Sequence, residues 1–240
     1  EGAIFIPEGR YVLTDVVKIA KSNLVLRGAG PDKTVLVIPK SLTDLQGAAF
    51  HDGKSNFSFR GGFIEMTGKI AGNKLADVVV PAKRGDRRLV LSSGLQLKPG
   101  TFLRLVMTDA EHSLGTYLHA EEADAGVDTY ASRDGKPWID IAMRVVSVSG
   151  GEVTFDRPLR VDVRLEWKPE IHTFEPTVSE VGIEDLSFEF PGVPKKAHLL
   201  EVGFNAIHMI NATNCWVRNV GFTDADNSVI VGGCRFCTVE

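Results

Sequence analysis

Cys215-Trp216-Val217-Arg218-Asn219-Val220-Gly221-Phe222 is the stretch on which the fold turns. Apolar residues alternate on either side of one Asn, which reads as strand, bend, strand. Upstream by 34 residues, Ile183, Leu186 and Phe188 match Val217, Val220 and Phe222, with Asp185 in the place of Asn219. Downstream by 22, Cys215 maps to Cys237 and Val217 to Val239. The same offset carries Ile207-His208-Met209 to Val229-Ile230-Val231. Near the start, Lys21-Ser22-Asn23-Leu24-Val25-Leu26-Arg27-Gly28 recurs 33 residues on as Lys54-Ser55-Asn56-Phe57-Ser58-Phe59-Arg60-Gly61.

Short strands that recur at about 22 residues, with insertions, fit a solenoid of parallel strands. One such coil cannot bury its apolar face, so coils stack and share a core. Sustained helical periodicity is scarce, and β-branched and aromatic residues fill the runs. Asn219 and Asp185, with Gly28 and Gly61 in the first coils, are expected at stacked bends. Cys215 and Cys237 are expected to stack inward as free thiols, because parallel in-register side chains rarely offer disulfide geometry. Cys234 is expected near the surface.

Composition narrows the function classes. The 240 residues carry Lys+Arg 27 against Asp+Glu 31, a net charge of −4. That balance argues against a general nucleic-acid binder. A hydrophobic content of 43% and a charged content of 24% are ordinary for a globular chain and exclude wholesale disorder. No run of 18 apolar residues exists to span a membrane. Three cysteines cannot form a complete internal disulfide framework. The chain opens and stops inside strand-like runs, which reads as a mature chain or an excised piece lacking structure beyond residue 240. Further coils or another chain are therefore expected on the C-terminal end.

Two motifs carry a family resemblance. Ile6-Pro7-Glu8-Gly9-Arg10-Tyr11-Val12-Leu13 is followed by Asn23-Leu24-Val25-Leu26-Arg27-Gly28-Ala29-Gly30 and Thr34-Val35-Leu36. Together with the Asn219 bend they resemble the pectate-lyase-like superfamily of right-handed parallel β-helices. The resemblance spans residues 1–70 and 178–240. It implies an all-β, right-handed parallel β-helix, an acidic polysaccharide as ligand and an extracellular setting. Many activities share these coils, so the reaction has to be argued from the site. The register it implies makes 206–210 and 228–232 the strands lining a substrate groove. Ile207, Met209, Val229 and Val231 then point inward, with His208, Ser228 and Ile230 outward.

The resulting organisation is first coils over 1–67, a β-rich insertion over 68–178 and further coils over 179–240. Within the insertion, Gly150-Gly151 between two alternating runs is the best hairpin signal. Residues 109–140 form a long polar loop, expected beside the groove.

Acidic polymers of this kind are cut by β-elimination. That reaction needs a cationic or hydrogen-bonding partner for the uronate carboxylate, a base at C5 and an acid for the leaving oxygen. His208 is the first candidate, as an outward groove residue. His112, Tyr117 and His119 are the further acid/base candidates, gathered in the polar loop. Asn205, Asp224, Asn227 and Trp138 are candidates for substrate contact. Oxygen ligands at Asp224, Asp226 and Asn227 could also take Ca²⁺. His112 and His119 with neighbouring glutamates match no tight zinc spacing. The basic run Lys83-Arg84-Gly85-Asp86-Arg87-Arg88 is either a solvated turn or an attractor of anionic polymer. A polysaccharide lyase is the leading reading. A non-catalytic binding or structural solenoid is the alternative, and a glycosidase stands third.

Overall fold

The computed structural model describes residues 2–48, 50–109, 113–119 and 137–240. The chain forms two compact units, Glu1–Ile70 with Pro176–Glu240, and Ala71–Glu175. The first unit is a parallel solenoid. On one face Gly2–Phe5 pairs with Leu24–Arg27, which pairs with the first half of Val181–Glu189. The second half of that long strand pairs with Thr34–Val37, whose other neighbour is Gly9–Val12. Trp216–Thr223 lies along the far side of Val181–Glu189, and Thr238–Val239 follows. A second parallel sheet stacks Val17–Ile19, Ile64–Thr67, Asn205–Ile210 and Asn227–Gly232.

Pairing follows the repeats. Ile183, Leu186 and Phe188 lie against Val217, Val220 and Phe222. Ile207, His208 and Met209 lie against Val229, Ile230 and Val231. Identical faces therefore overlay coil upon coil, and the Phe188 and Phe222 rings stack at 5.7 Å. Ile183, Leu186, Phe188, Ile207 and Met209 are fully buried together with Phe63, Ile64 and Met66. Val231 lies over Met209 in register yet stays 51% exposed, since it belongs to the outermost described coil. At the bend, Asp185 and Asn219 take φ of 55° and 50°, a left-handed conformation that short polar side chains tolerate. Asn219 Nδ2 donates to Asp185 Oδ1 at 2.8 Å, joining the two coils. Gly28 occupies the preceding coil because a Cβ there would meet Asp185 O at 2.2 Å.

One repeat fails. Lys54–Ser55 pairs antiparallel with Phe50–His51, and Asn56–Ser58 is a 3₁₀ turn, so residues 54–61 are not a coil equivalent to 21–28. Gly61 packs against Leu42 and Phe57 within that turn rather than at a stacked bend. The likeness is local: Ser55 caps its own turn by accepting from Phe57 N–H. The three thiols are free, and Cys234 is half-buried against the core beside Cys237 rather than at the surface. Cys237 is pushed down to about 3 by hydrogen bonds from the Cys215 and Cys234 thiols, which are themselves pushed up.

The second unit is a six-stranded antiparallel sheet. Its order is Lys74–Asp77, Glu170–Thr173, Phe102–Thr108, Pro137–Ser149, Glu152–Phe155 and Arg88–Val90. Gly150 and Gly151, both at positive φ, turn the Pro137–Ser149 strand into its hairpin partner. Leu89, Leu105, Met107, Met143, Phe155 and Trp167 form its core. A short helix, Ser113–Leu118, lies in the segment read as polar loop. No helix among the described residues is long and apolar enough to cross a membrane.

Candidate functional site

The Asn205–Ile210 strand places His208 on the outer face, beside Glu65 and Ile230 in the neighbouring coils. The side chain nevertheless does not line an open groove. The Arg60–Gly62 turn covers it, leaving His208 only 7% exposed. Gly61 N–H donates to His208 Nδ1 at 3.2 Å, and a Cβ on Gly62 would meet His208 N at 2.8 Å. Burial lowers the His208 pKa below its ordinary value; Glu65 opposes this and Arg60 adds to it. The ring is therefore neutral, with Nδ1 accepting and the proton on Nε2. Nε2 is buried and has no hydrogen-bond partner among the described residues. An imidazole in this state presents no open lone pair to a substrate proton.

The other groove candidates also act inside the fold. Asn205 is fully buried, and its Nδ2 donates to Phe57 O at 2.7 Å and to Arg60 O and Gly61 O at 3.2 Å. Asn227 Nδ2 donates to Asn205 Oδ1 at 2.9 Å, so two stacked amides hold the 3₁₀ turn in place. Asp226 Oδ2 accepts Gly203 N–H at 3.1 Å and Phe204 N–H at 2.9 Å, while its Oδ1 takes Lys195 Nζ at 3.2 Å. Lys195 Nζ also donates to the Asp224 carbonyl at 2.5 Å. Asp226 does not fit a Ca²⁺ ligand, because both its carboxylate oxygens already accept from N–H donors, one of them the lysine's ammonium. Among the described residues no group of three or more His, Cys, Asp or Glu is arranged to hold a metal.

These contacts instead build a platform from the segment between Phe190 and Asn205. Phe190 and Phe204 pack edge to face at 5.8 Å. Leu42 N–H and Thr43 N–H donate to Gly203 O and Val202 O, and Ser55 N–H donates to Leu199 O at 2.6 Å. A cleft of about 340 Å³ lies along it, lined by Pro194, Lys195, Lys196, Val202, Phe204 and Asp226. On the same segment His198 Nδ1 lies 3.2 Å from Glu201 Oε1, and Ser58 Oγ donates to Glu201 Oε2. Burial raises the Glu201 pKa, but the Ser58, backbone and His198 hydrogen bonds outweigh it, and the net shift is downward. Glu201 is thus ionised at neutral pH and accepts from both sides. In neutral His198 the proton then sits on Nδ1, leaving the Nε2 lone pair outward on a side chain that is 74% exposed. Phe59, also exposed, meets the His198 ring edge-on at 6.1 Å.

Among the loop candidates, Tyr117 is structural. Its hydroxyl accepts Asp162 N–H at 3.1 Å, and its ring packs 5.1 Å from Trp167. Trp138 is half-buried against the core of the second unit. His119 is exposed at the end of the Ser113–Leu118 helix. His112 and most of the polar loop lie outside the described residues. The structure therefore joins Asn205 to Asn227 through their amides and carries His208 on the Asn205 strand. His198, Glu201 and Lys196 were missed in the sequence, because their segment has no periodicity. The one local signal was His198 three residues before Glu201.

No protein-family model matches the chain, and no curated protein does. Solved structures do. The Pseudomonas phage phi297 tailspike gp61 superposes with a TM-score of 0.51 at 16% identity, over 92% of this chain and 29% of that one. The Pseudomonas phage LKA1 tailspike gp49 gives 0.50 at 13% identity, over 98% and 37%. The Gp54 tailspike of Acinetobacter baumannii bacteriophage AP22, solved with a capsular saccharide, gives 0.44 at 12%, over 99% and 41%. The chain spans well under half the length of each. With the parallel coil register, the first two matches define the class: a right-handed parallel β-helix. They do not single out the pectate-lyase-like branch.

Proposed function

We propose that this protein acts on an acidic polysaccharide, cleaving a uronate-containing chain by β-elimination in an extracellular setting. The observation that carries the reading is the Ser58–Glu201–His198 relay. A held carboxylate fixes the imidazole tautomer and turns a free nitrogen outward from a rigid platform. His198 Nε2 removes the C5 proton, and the electron pair forms the C4=C5 double bond as the C4–O bond breaks. The departing oxygen takes its proton from water. Lys196, exposed two residues from His198 and lining the adjoining cleft, offsets the uronate carboxylate and so eases C5 deprotonation. The order of the relay supports base chemistry over nucleophilic chemistry. Glu201 stands between serine and histidine, so nothing deprotonates Ser58.

The test is a panel of uronate polymers, with the ultraviolet absorbance of the unsaturated product as readout. His198→Ala should lower kcat by roughly a hundredfold or more, as loss of a general base does, with the melting temperature held. Turnover that survives the substitution refutes the assignment. A non-catalytic glycan-binding module is the second reading. It is favoured by the internal use of Asn205, Asn227 and His208. Binding to the polymers with no unsaturated product would establish it.

A further inference from the structure

We infer that the second unit carries its own binding site for the carboxylates of an anionic polysaccharide, centred on Arg84 and Arg160. The inference rests on the acidic-polysaccharide reading above and adds a site to it. In the sequence Lys83–Arg88 reads either as a solvated turn or as an attractor of anionic polymer, with no second basic run beside it. The structure brings a second basic segment against it. Gly85 N–H donates to Leu159 O at 2.9 Å and Leu159 N–H to Asp86 O at 2.8 Å. Ala82 and Val163 exchange a further pair at 3.0 and 2.8 Å. Residues 83–88 and 156–164 together hold seven Lys or Arg against three Asp, in a chain of net charge −4.

The three aspartates are committed. Asp86 accepts Lys83 N–H at 2.7 Å and closes the turn. Asp162 holds Lys83 Nζ at 3.2 Å and Arg84 N–H at 3.0 Å, and lies 3.9 Å from Arg164. Asp156 pairs with Arg144 at 3.4 Å and Arg157 at 3.5 Å. Arg88 meets Glu152 at 3.5 Å, and Arg87 donates to the Asp156 carbonyl at 2.5 Å. Arg84 and Arg160 are both exposed, and among the described residues neither forms an ion pair. Both line one cleft of about 590 Å³ with Arg157 and Pro158. The backbone bonds on Gly85 and the buried Leu159 fix the chain beside each guanidinium. Two planar forks are thus displayed from a rigid base, the arrangement that suits carboxylates. An extended polyuronate fits an open cleft of this kind, since its carboxylates recur along the chain.

The experiment titrates the whole protein with polygalacturonate, with a neutral maltodextrin and with a DNA duplex, at several salt concentrations. Arg84→Ser/Arg160→Ser is compared with Lys98→Ser, which removes an exposed cation elsewhere in the same unit. The double variant should bind polygalacturonate roughly tenfold more weakly, with a shallower salt dependence, while Lys98→Ser behaves as wild type. Circular dichroism should show the fold intact in both. Undiminished polygalacturonate affinity in the double variant overturns the inference and leaves the function reading standing. Equal wild-type affinity for DNA overturns it too, as a site for any polyanion. A wild-type protein that binds no uronate polymer overturns both.

Discussion

Asn205→Ala separates a ligand contact from an internal brace. In the structure the Asn205 amide donates to three carbonyls of the Phe57–Gly61 turn and accepts from Asn227. Two amide hydrogens serve three carbonyls, so about two full donor bonds and one acceptor bond disappear on truncation. Phe57 O and the Asn227 amide are then left with only their long mutual bond at 3.4 Å, at about 1–3 kcal/mol for each group so under-satisfied. A total near 3 kcal/mol follows, or roughly 6–12 °C in melting temperature for a chain of this size. Urea unfolding followed by circular dichroism measures it. The turn carries Ser58, which holds Glu201, so turnover should fall along with stability. Asn205→Asp should be worse at neutral pH, since a carboxylate would face the same carbonyl oxygens. If Asn205→Ala keeps its unfolding midpoint and loses only polysaccharide affinity, the brace assignment is wrong and Asn205 touches the ligand.

Three further outcomes follow from the same geometry. Gly28→Ala drives a Cβ into Asp185 O, Thr34 and Leu186, and should cost at least about 1–3 kcal/mol in a thermal melt; a neutral result would disprove the close coil contact. The folded His208 pKa lies below its ordinary 6.5, so the stability it contributes is present above pH 6.5 and is lost as pH falls through the folded value. Melting temperature should therefore drop on acidification below pH 6.5 more steeply in wild type than in His208→Gln, and parallel curves would refute the burial argument. Hydrogen bonds from Cys215 and Cys234 lower the Cys237 pKa and raise their own, so Cys237 should be alkylated by iodoacetamide before Cys215 and Cys234 at about pH 6; peptide mapping that finds another order would contradict the thiol arrangement.

The coil register was readable wherever burial enforces it. Offsets of 34 and 22 between Ile183, Val217 and Val239 follow the observed pairing, because each inward position must present a similar apolar side chain to the next. The repeat at Lys54 misled, since Ser-Asn after Lys also suits a capped turn, and local identity carries no information about strand pairing. Site residues were less legible. Asn205 and Asn227 occupy equivalent register positions 22 residues apart, but whether an amide faces solvent or three carbonyls depends on a turn 144–148 residues away in sequence. His198 acquires its orientation from Glu201, and Glu201 from Ser58, which comes from another coil segment. Arg84 and Arg160 share a cleft because backbone hydrogen bonds join their segments, and charge counting along the chain does not reveal that.

The antiparallel unit interrupts the winding at a single corner, where Lys69 O accepts Thr177 N–H at 2.9 Å and Lys69 N–H returns a bond to Thr177 Oγ1 at 2.9 Å. The strands on either side of this interruption, Leu24–Arg27 and Val181–Glu184, are immediate neighbours although 157 positions part them. Assembly of the stack must therefore wait for a closure whose entropic penalty falls, logarithmically, as the intervening chain is shortened. Shortening the insert to a tight loop at Lys69 and Thr177 should speed the docking of the coils that follow it, because fewer residues then separate the paired strands.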